Sequence, residues 1–374
     1  MISKSRKAIT ALLTRKIRIE CDHIPYEFYN VPIKKILNWI IVEASIIFKP
    51  TKPWGWPTHL QVEPTNICNL RCALCPISQG MDRPSRHMDF NIFKKIIDEM
   101  GDYVFLILLW EWGEPFLNPR VYEMISYAKQ RHITVVSSTN GHVFAEGDHA
   151  HKLIHSGIDS IIFAMDGISQ ETYERYRIGG DLNTVIEGIK NVVAAKSALN
   201  SKSPFIHLRF IPMKHNAHEI PKLKDFARAL KVDALTYKTL NPHDDRKIIA
   251  KEKFGNEFIP EDPKHQRFKY DSQSQARILR MRNPCKCLWN CPAIHSSGEV
   301  CPCTFDVHNK YVIGNIAKEN FKEIWRGTRY RTYRRIFRKN YQKIPMCSGC
   351  SYAFEGGTLS TETIVQTHFF TSPL

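Results

Sequence analysis

The chain has 374 residues, 53 Lys and Arg against 37 Asp and Glu, a formal charge of +16, and 43% hydrophobic with 11% aromatic residues. That apolar content supports a packed interior and excludes a disordered or low-complexity polymer, and the length calls for a large domain with a smaller appendage. The 11 cysteines are too sparse for a disulfide scaffold and fall into clusters, which favours metal over disulfides.

The start, "MISKSRKAITALLTRKIR", is basic but lacks the continuous apolar stretch of a secretory signal, so export is not expected. The next apolar segment, "IKKILNWIIVEASIIF" at 33–48, carries Glu43 and is shorter than the roughly 20 residues that span a bilayer. Two readings of it stand: a helix packed on the main domain, or a helix lying in a membrane interface with Lys34, Lys35 and Trp39 beside its apolar residues. "PWGWP" at 53–57 suits no regular element and ends an N-terminal basic and amphipathic extension, residues 1–55.

From residue 58 to 241, β-rich runs alternate with amphipathic helical ones, the pattern of parallel βαβ units. Strands are predicted at 59–63, 104–110, 134–139, 161–165, 206–211 and 234–240, with helices at 90–100, 120–130, 150–157, 182–199 and 218–230. This order suits a barrel or an open sheet, whose ligands sit at the C-terminal strand ends. The loops after the first four strands carry a cysteine cluster, "EWGEP", "NG" and "DG", all at one mouth. Beyond Leu240 periodicity fades, and 246–284 reads as a connector or lid. The basic run 326–340 has helical spacing, with Tyr330, Tyr333, Ile336 and Phe337 on its apolar side. It fits either an anionic partner or a solvated basic face.

"PTNICNLRCALCP" at 64–76 supplies three thiols from one loop, Cys68, Cys72 and Cys75. A structural zinc or an ordinary iron–sulfur cluster takes four protein ligands, so a metal bound here keeps one position open. The C-x3-C-x2-C loop after a first strand, flanked by "NLRC" and Pro76, resembles the radical S-adenosylmethionine (SAM) superfamily. The resemblance implies a partial (β/α)6 TIM-like barrel of parallel strands over 56–245, an α/β fold. It also implies a [4Fe-4S] cluster with an open iron site that SAM chelates, and reductive cleavage of SAM to a 5'-deoxyadenosyl radical that abstracts hydrogen from substrate. "WGEP" at 112–115 matches the family's glycine-glycine-glutamate motif with Trp112 in place of the first glycine, so Glu114 would hold the SAM amine. "STNG" at 138–141 makes Thr139 and Asn140 candidates for the ribose hydroxyls, and "MDG" followed by "ERYRIGG" brings in Asp166 and Arg177 for the SAM carboxylate.

The second cluster holds Cys285, Cys287, Cys291, Cys301, Cys303, Cys347 and Cys350. The spacing from Cys287 to Gly298 to Cys303, with "GNI" and "EIW", is similar to the SPASM/twitch extension, a small C-terminal cysteine-rich iron–sulfur domain over 285–355, followed by a tail at 356–374. No cysteine follows Cys350, so the resemblance implies one auxiliary [4Fe-4S] cluster on Cys287, Cys303, Cys347 and Cys350, a structural zinc being the other reading of the same sulfurs. Cys285, Cys291 and Cys301 stay unassigned, and Cys21 reads as an ordinary thiol.

The implied activity is a two-electron oxidation or related modification of a sugar-like, lipid-linked or peptide substrate, fed by a low-potential donor of flavodoxin or ferredoxin type in a reducing cytoplasm, with peripheral membrane contact as a further reading. Other classes are an RNA-modifying member of the superfamily and a non-catalytic basic metal-binding protein. No RNA-binding module is recognisable, so nucleic acid is not expected as a partner.

Overall fold

The computed structural model describes residues 2–21, 23–241, 257–273, 276–356 and 360–365. Residues 246–256 and 274–275 of the expected connector, and 357–359 and 366–374 of the expected tail, lie outside the described residues.

Six parallel strands form the body in sequence order: β3 (His59–Val62), β4 (Leu106–Leu108), β5 (Thr134–Thr139), β6 (Ser160–Ala164), β7 (Phe205–Phe210) and β8 (Ala234–Lys238). Their runs are apolar rather than alternating because both faces are covered; in β5 only Ser138 is less than buried. The linking helices are α4 (Phe90–Met100), α5 (Val121–Gln130), α6 (His149–His155), α7 (Gln170–Tyr176), α8 (Leu182–Ala198) and α9 (Ile220–Ala229). Helix α4 shows the local logic: Asp89 caps its first turn by accepting from the Asn91 amide, and Phe93, Ile96, Ile97 and Met100 form one buried face. Short helix α7 was missed in the sequence. Strand β4 is shorter than the apolar run 104–110 suggests, because Val104 and Leu109 are buried core residues beyond its ends.

Among the described residues the sheet is open and continues past both edges to ten strands. Strand β9 (Ala293–Ile294) pairs parallel with β3, then β10 (Glu299–Cys301) and β11 (Gly314–Asn315) follow antiparallel, so the cysteine-rich region is built onto the barrel edge. At the opposite edge β12 (Ser360–Val365) pairs antiparallel with β8, which turns part of the expected tail into a strand.

The N-terminal extension is structured as helix α1 (Ile2–Thr14), hairpin β1 (Ile17–Cys21) and β2 (Ile24–Phe28), and helix α2 (Ile33–Phe48). Ile24 and Tyr26 of the hairpin pack on Leu106, Val136, Ile162 and Ala234, one residue each from β4, β5, β6 and β8, so the hairpin fills the barrel interior. The turn-and-proline segment expected to divide extension from body is pinned instead. The Trp289 indole donates to the Pro50 carbonyl at 2.8 Å and the Trp325 indole to the Gly55 carbonyl at 3.0 Å.

Candidate active site

The cysteine loop leaves β3 and is held from two sides. The Asn66 side chain donates to the Pro84 carbonyl at 2.9 Å and accepts from the Arg86 amide at 2.7 Å. The Arg71 and Ala73 amides donate to the carbonyls of Ile178 and Tyr176 at 2.9 and 3.0 Å, which docks the loop on the segment that carries Arg177. Cys68, Cys72 and Cys75 are free thiols close enough to repel one another as thiolates, and burial pushes Cys68 up to about 12. Burial raises Cys75 as well, against the pull of Arg177. A cationic metal would supply the compensation that three deprotonated thiols need beyond what Arg177 gives.

Glu114 follows β4 and is only 2% exposed. Its carboxylate accepts from the Thr139 hydroxyl at 2.8 Å, the Asn140 amide at 2.7 Å and the Phe116 amide at 3.3 Å, which joins the loops after β4 and β5. Burial outweighs these bonds and pushes Glu114 up to about 7, so the site favours a cationic guest. Asn140 reaches the cysteine loop, its side chain donating to Asn69 at 2.7 Å. Gly113 makes this approach possible: its φ is +90°, and an added Cβ would lie 2.4 Å from the Thr65 carbonyl oxygen.

Arg177 donates to Asp166 at 2.7 Å and lies 3.7 Å from the Cys72 sulfur. Asp166 also accepts from the Ile211 amide at 2.9 Å, so it aims the guanidinium rather than standing free. The loop after the fourth strand thereby joins the other three at one mouth, held in place by the Ile211 amide after the fifth.

The second sulfur group lies across the same cavity, of about 670 Å³, which Cys68, Cys72 and Cys75 line together with Glu114, Arg177, Cys285, Cys303, Cys347 and Cys350. Cys303 lies among Cys347, Cys285 and Cys350, Cys347 beside Cys350 and Cys285, and Cys285 bonds to Cys287. Cys287 lines the same cavity, so these five thiols gather on this side. Cys350 accepts from the Asn283 amide at 3.5 Å, and the Tyr333 hydroxyl sits 3.2 Å from Cys347. Arg267 donates to Ser351 at 2.8 Å beside this group, and burial pulls its pKa down to about 9. A buried cation lining the cavity that these thiols share suits an anionic thiolate cluster. Cys291 lies near Cys285, Cys21 and Glu111, and Cys301 is placed apart, against His295 and Asn309.

A buried charged group escaped the sequence. Glu63, at the end of β3, takes a two-pronged bond from Arg83 at 2.8 and 2.7 Å and the Ser296 amide at 3.0 Å, and His295 lies 3.5 Å from Glu111. Single charges scattered along the chain carry no spacing signal; only the pairing of β9 with β3 brings them together.

Comparison with known proteins identifies the family in which these two sulfur-rich regions occur. Residues 62–224 match the model of the radical SAM superfamily, and 285–351 match that of an iron–sulfur cluster-binding domain, SPASM. The chain belongs to the radical SAM superfamily and carries a C-terminal SPASM domain. Its cofactors are accordingly SAM, a [4Fe-4S] cluster and auxiliary iron–sulfur. Among its relatives is the tungsten-containing aldehyde ferredoxin oxidoreductase cofactor-modifying protein of Pyrococcus furiosus, 27% identical over 319 residues, covering 78% of this chain and 87% of the relative. The mycofactocin maturase MftC of Mycobacterium tuberculosis is 24% identical over 327 residues, covering 82% and 79%. In fold the chain is similar to SuiB of Streptococcus suis bound to precursor peptide SuiA, with 14% identity, 84% and 75% coverage and a TM-score of 0.57. It is also similar to anSMEcpe with bound AdoMet, with 17% identity, 81% and 93% coverage and a TM-score of 0.56.

Proposed function

We propose that this radical SAM chain is an enzyme that abstracts hydrogen from a substrate held between its two sulfur sites and oxidises it by two electrons. One observation carries the reading: the cysteine loop, the candidate SAM-binding residues and the second sulfur group line a single cavity. When bound, SAM and the [4Fe-4S] cluster supply the hydrogen-abstracting radical, and the auxiliary cluster supplies an acceptor for the remaining electron. Cys68, Cys72 and Cys75 hold the first cluster. Glu114 binds the SAM ammonium as a carboxylate, already oriented by Thr139 and Asn140. Arg177, aimed by Asp166, takes the SAM carboxylate. Thr139 and Asn140, which line the same pocket, would meet the ribose hydroxyls. Cys287, Cys303, Cys347 and Cys350 hold the auxiliary cluster, with Cys285, hydrogen-bonded to Cys287, as the neighbouring thiol.

For substrate, a peptide is favoured over a sugar-like or lipid-linked molecule. Its support is the maturase and cofactor-modifying relatives and the fold shared with a protein bound to a precursor peptide. A low-potential flavodoxin- or ferredoxin-type donor would feed the first cluster. The basic run 326–340 gives no support to an RNA-modifying enzyme, because Tyr330, Tyr333 and Phe337 are buried rather than displayed as a stacking platform.

The test is anaerobic reconstitution followed by SAM and dithionite. Wild type should carry about eight irons per chain and release 5'-deoxyadenosine, and a Cys68→Ala/Cys72→Ala/Cys75→Ala variant should carry about four and release none. Iron-replete wild type whose cluster spectrum does not change on adding SAM would sink the proposal.

A further inference from the structure

Helix α2 is built inside out. The face it turns to the protein includes Lys35, Asn38 and Ser45 along with Ile36 and Val42. The opposite face carries Ile33, Leu37, Ile41, Ile47 and Phe48, exposed by 53%, 46%, 40%, 49% and 62%. At about 100° per residue these five fall within one arc of roughly 120°, which no charged residue interrupts. Burying polar groups and exposing aliphatic ones reverses the arrangement that water imposes on a surface helix. The inversion is supported locally: Asn38 bonds both the carbonyl and the amide of Trp56, at 3.0 and 2.8 Å, and Ser45 accepts from the Trp54 amide at 3.2 Å. Those polar residues are therefore fixed inward by specific bonds, and the apolar side is left facing out.

The exposed face does not end with the helix. Trp54, itself 51% exposed, packs against Phe48 with ring centroids 5.7 Å apart. Helix α1 joins the cluster around Ile36 through buried Ala11 and exposes Ile9, Leu12 and Leu13 at 57%, 41% and 79%. An apolar surface of this extent marks an interaction site.

The charge of the segment decides the occupant. Residues 1–53 contain ten Lys and Arg against four Asp and Glu. Arg6, Lys7, Lys16, Arg18, Lys34 and Lys52 are exposed. A second copy would bring the same positive charge against itself. An anionic lipid surface supplies both apolar depth for Leu37 and Ile41 and negative charge for the exposed cations of this segment, with tryptophan at the level of the headgroups. Neither helix is long and apolar enough to cross a membrane, so the contact is with one leaflet.

We infer that the outward face of α2, with Trp54 and α1, is a docking surface for an anionic membrane. The proposal stands apart from the reaction: it concerns where the enzyme works, and neither iron content nor deoxyadenosine release bears on it.

The test is vesicle co-flotation of the full chain with phosphatidylcholine vesicles and with vesicles of equal parts phosphatidylcholine and phosphatidylglycerol. Wild type should float with the anionic vesicles only, and less so as salt is raised. Leu37→Glu/Ile41→Glu should weaken that association by roughly tenfold or more, with an unchanged thermal midpoint because both side chains already face out. If that variant does not fold, Trp54→Ser serves in its place, with the same direction expected. Failure of wild type to float with anionic vesicles overturns the inference, as does undiminished flotation of a folded variant. A wild-type dimer by light scattering that Leu37→Glu/Ile41→Glu converts to monomer would assign the face to a second copy and overturn it as well.

Discussion

Glu114 concentrates the electrostatics of the site in one side chain. Its carboxyl is raised from 4.5 to about 7 by burial, so in the ligand-free chain it contributes stability that is full below the ordinary carboxyl range and is lost as pH rises to about 7. SAM binding selects the ionised form, and the sense reverses: affinity should rise with pH up to about 7 and level off above it. Glu114→Gln should flatten that profile in anaerobic calorimetry and weaken SAM by about 1.5–3 kcal/mol, the worth of a hydrogen bond to a charged group. A second residue-scale expectation separates neighbouring thiols. Cys287 belongs to the spacing-based ligand set and Cys285 is its hydrogen-bonded neighbour, so Cys287→Ala should lower iron from about eight to about four per chain, while Cys285→Ala leaves it near eight. The reverse result would make Cys285 the fourth ligand.

The elements deliver these side chains by touching one another at few points. The loop after β4 passes under the cysteine loop only because residue 113 has no side chain. At φ +90° a Cβ there would sit 2.4 Å from the Thr65 oxygen and 2.9 Å from both Asn66 Cα and the Ile67 oxygen. Gly113→Ala should therefore displace Glu114 and the cysteine loop together, lowering reconstituted iron and the thermal midpoint, with backbone strain alone worth about 1–3 kcal/mol. Most of this level was legible in the sequence. Five helices and six strands fall close to where periodicity put them, because each βα unit buries a repeating local pattern. Helix α7 was not legible, since at seven residues it is too short to show a period, and its Ser169 cap becomes recognisable only once the Thr172 amide is seen to meet it. In the basic helix Thr328–Asn340, Tyr330, Tyr333 and Phe337 pack inward as expected while Ile336 is 39% exposed. Buried Arg334 takes the inward position instead, its guanidinium donating to the Leu288 and Trp325 carbonyls at 2.8 and 2.9 Å.

At the scale of the whole molecule, the barrel and the SPASM region are one sheet joined by buried charge. Arg83 and Glu63 have side chains 4% and 0% exposed, and Arg83 also donates to the Val307 carbonyl at 2.7 Å in the C-terminal region. Removing one partner strands the other in a low-dielectric interior, so Arg83→Ala should cost about 3–5 kcal/mol in denaturant unfolding. A surface pair would cost less than about 1 kcal/mol, so a small loss would show that the joint does not bear on stability.

The sequence by itself determined the chemistry of the first site. Three cysteines within eight positions, a glutamate after the next strand and an arginine after the fourth are local motifs hung on a periodic scaffold, and strand order alone carries them to one mouth. Tertiary structure alone decided what depends on distant segments meeting. The N-terminal hairpin fills the barrel, the second group of thiols lines the same cavity as the first, and Glu63 pairs with Arg83. The apolar side of α2 faces out for the same reason: which side of a helix is covered is set by the surface it meets, and Asn38 and Ser45 found their partners in the segment around Trp54 and Trp56.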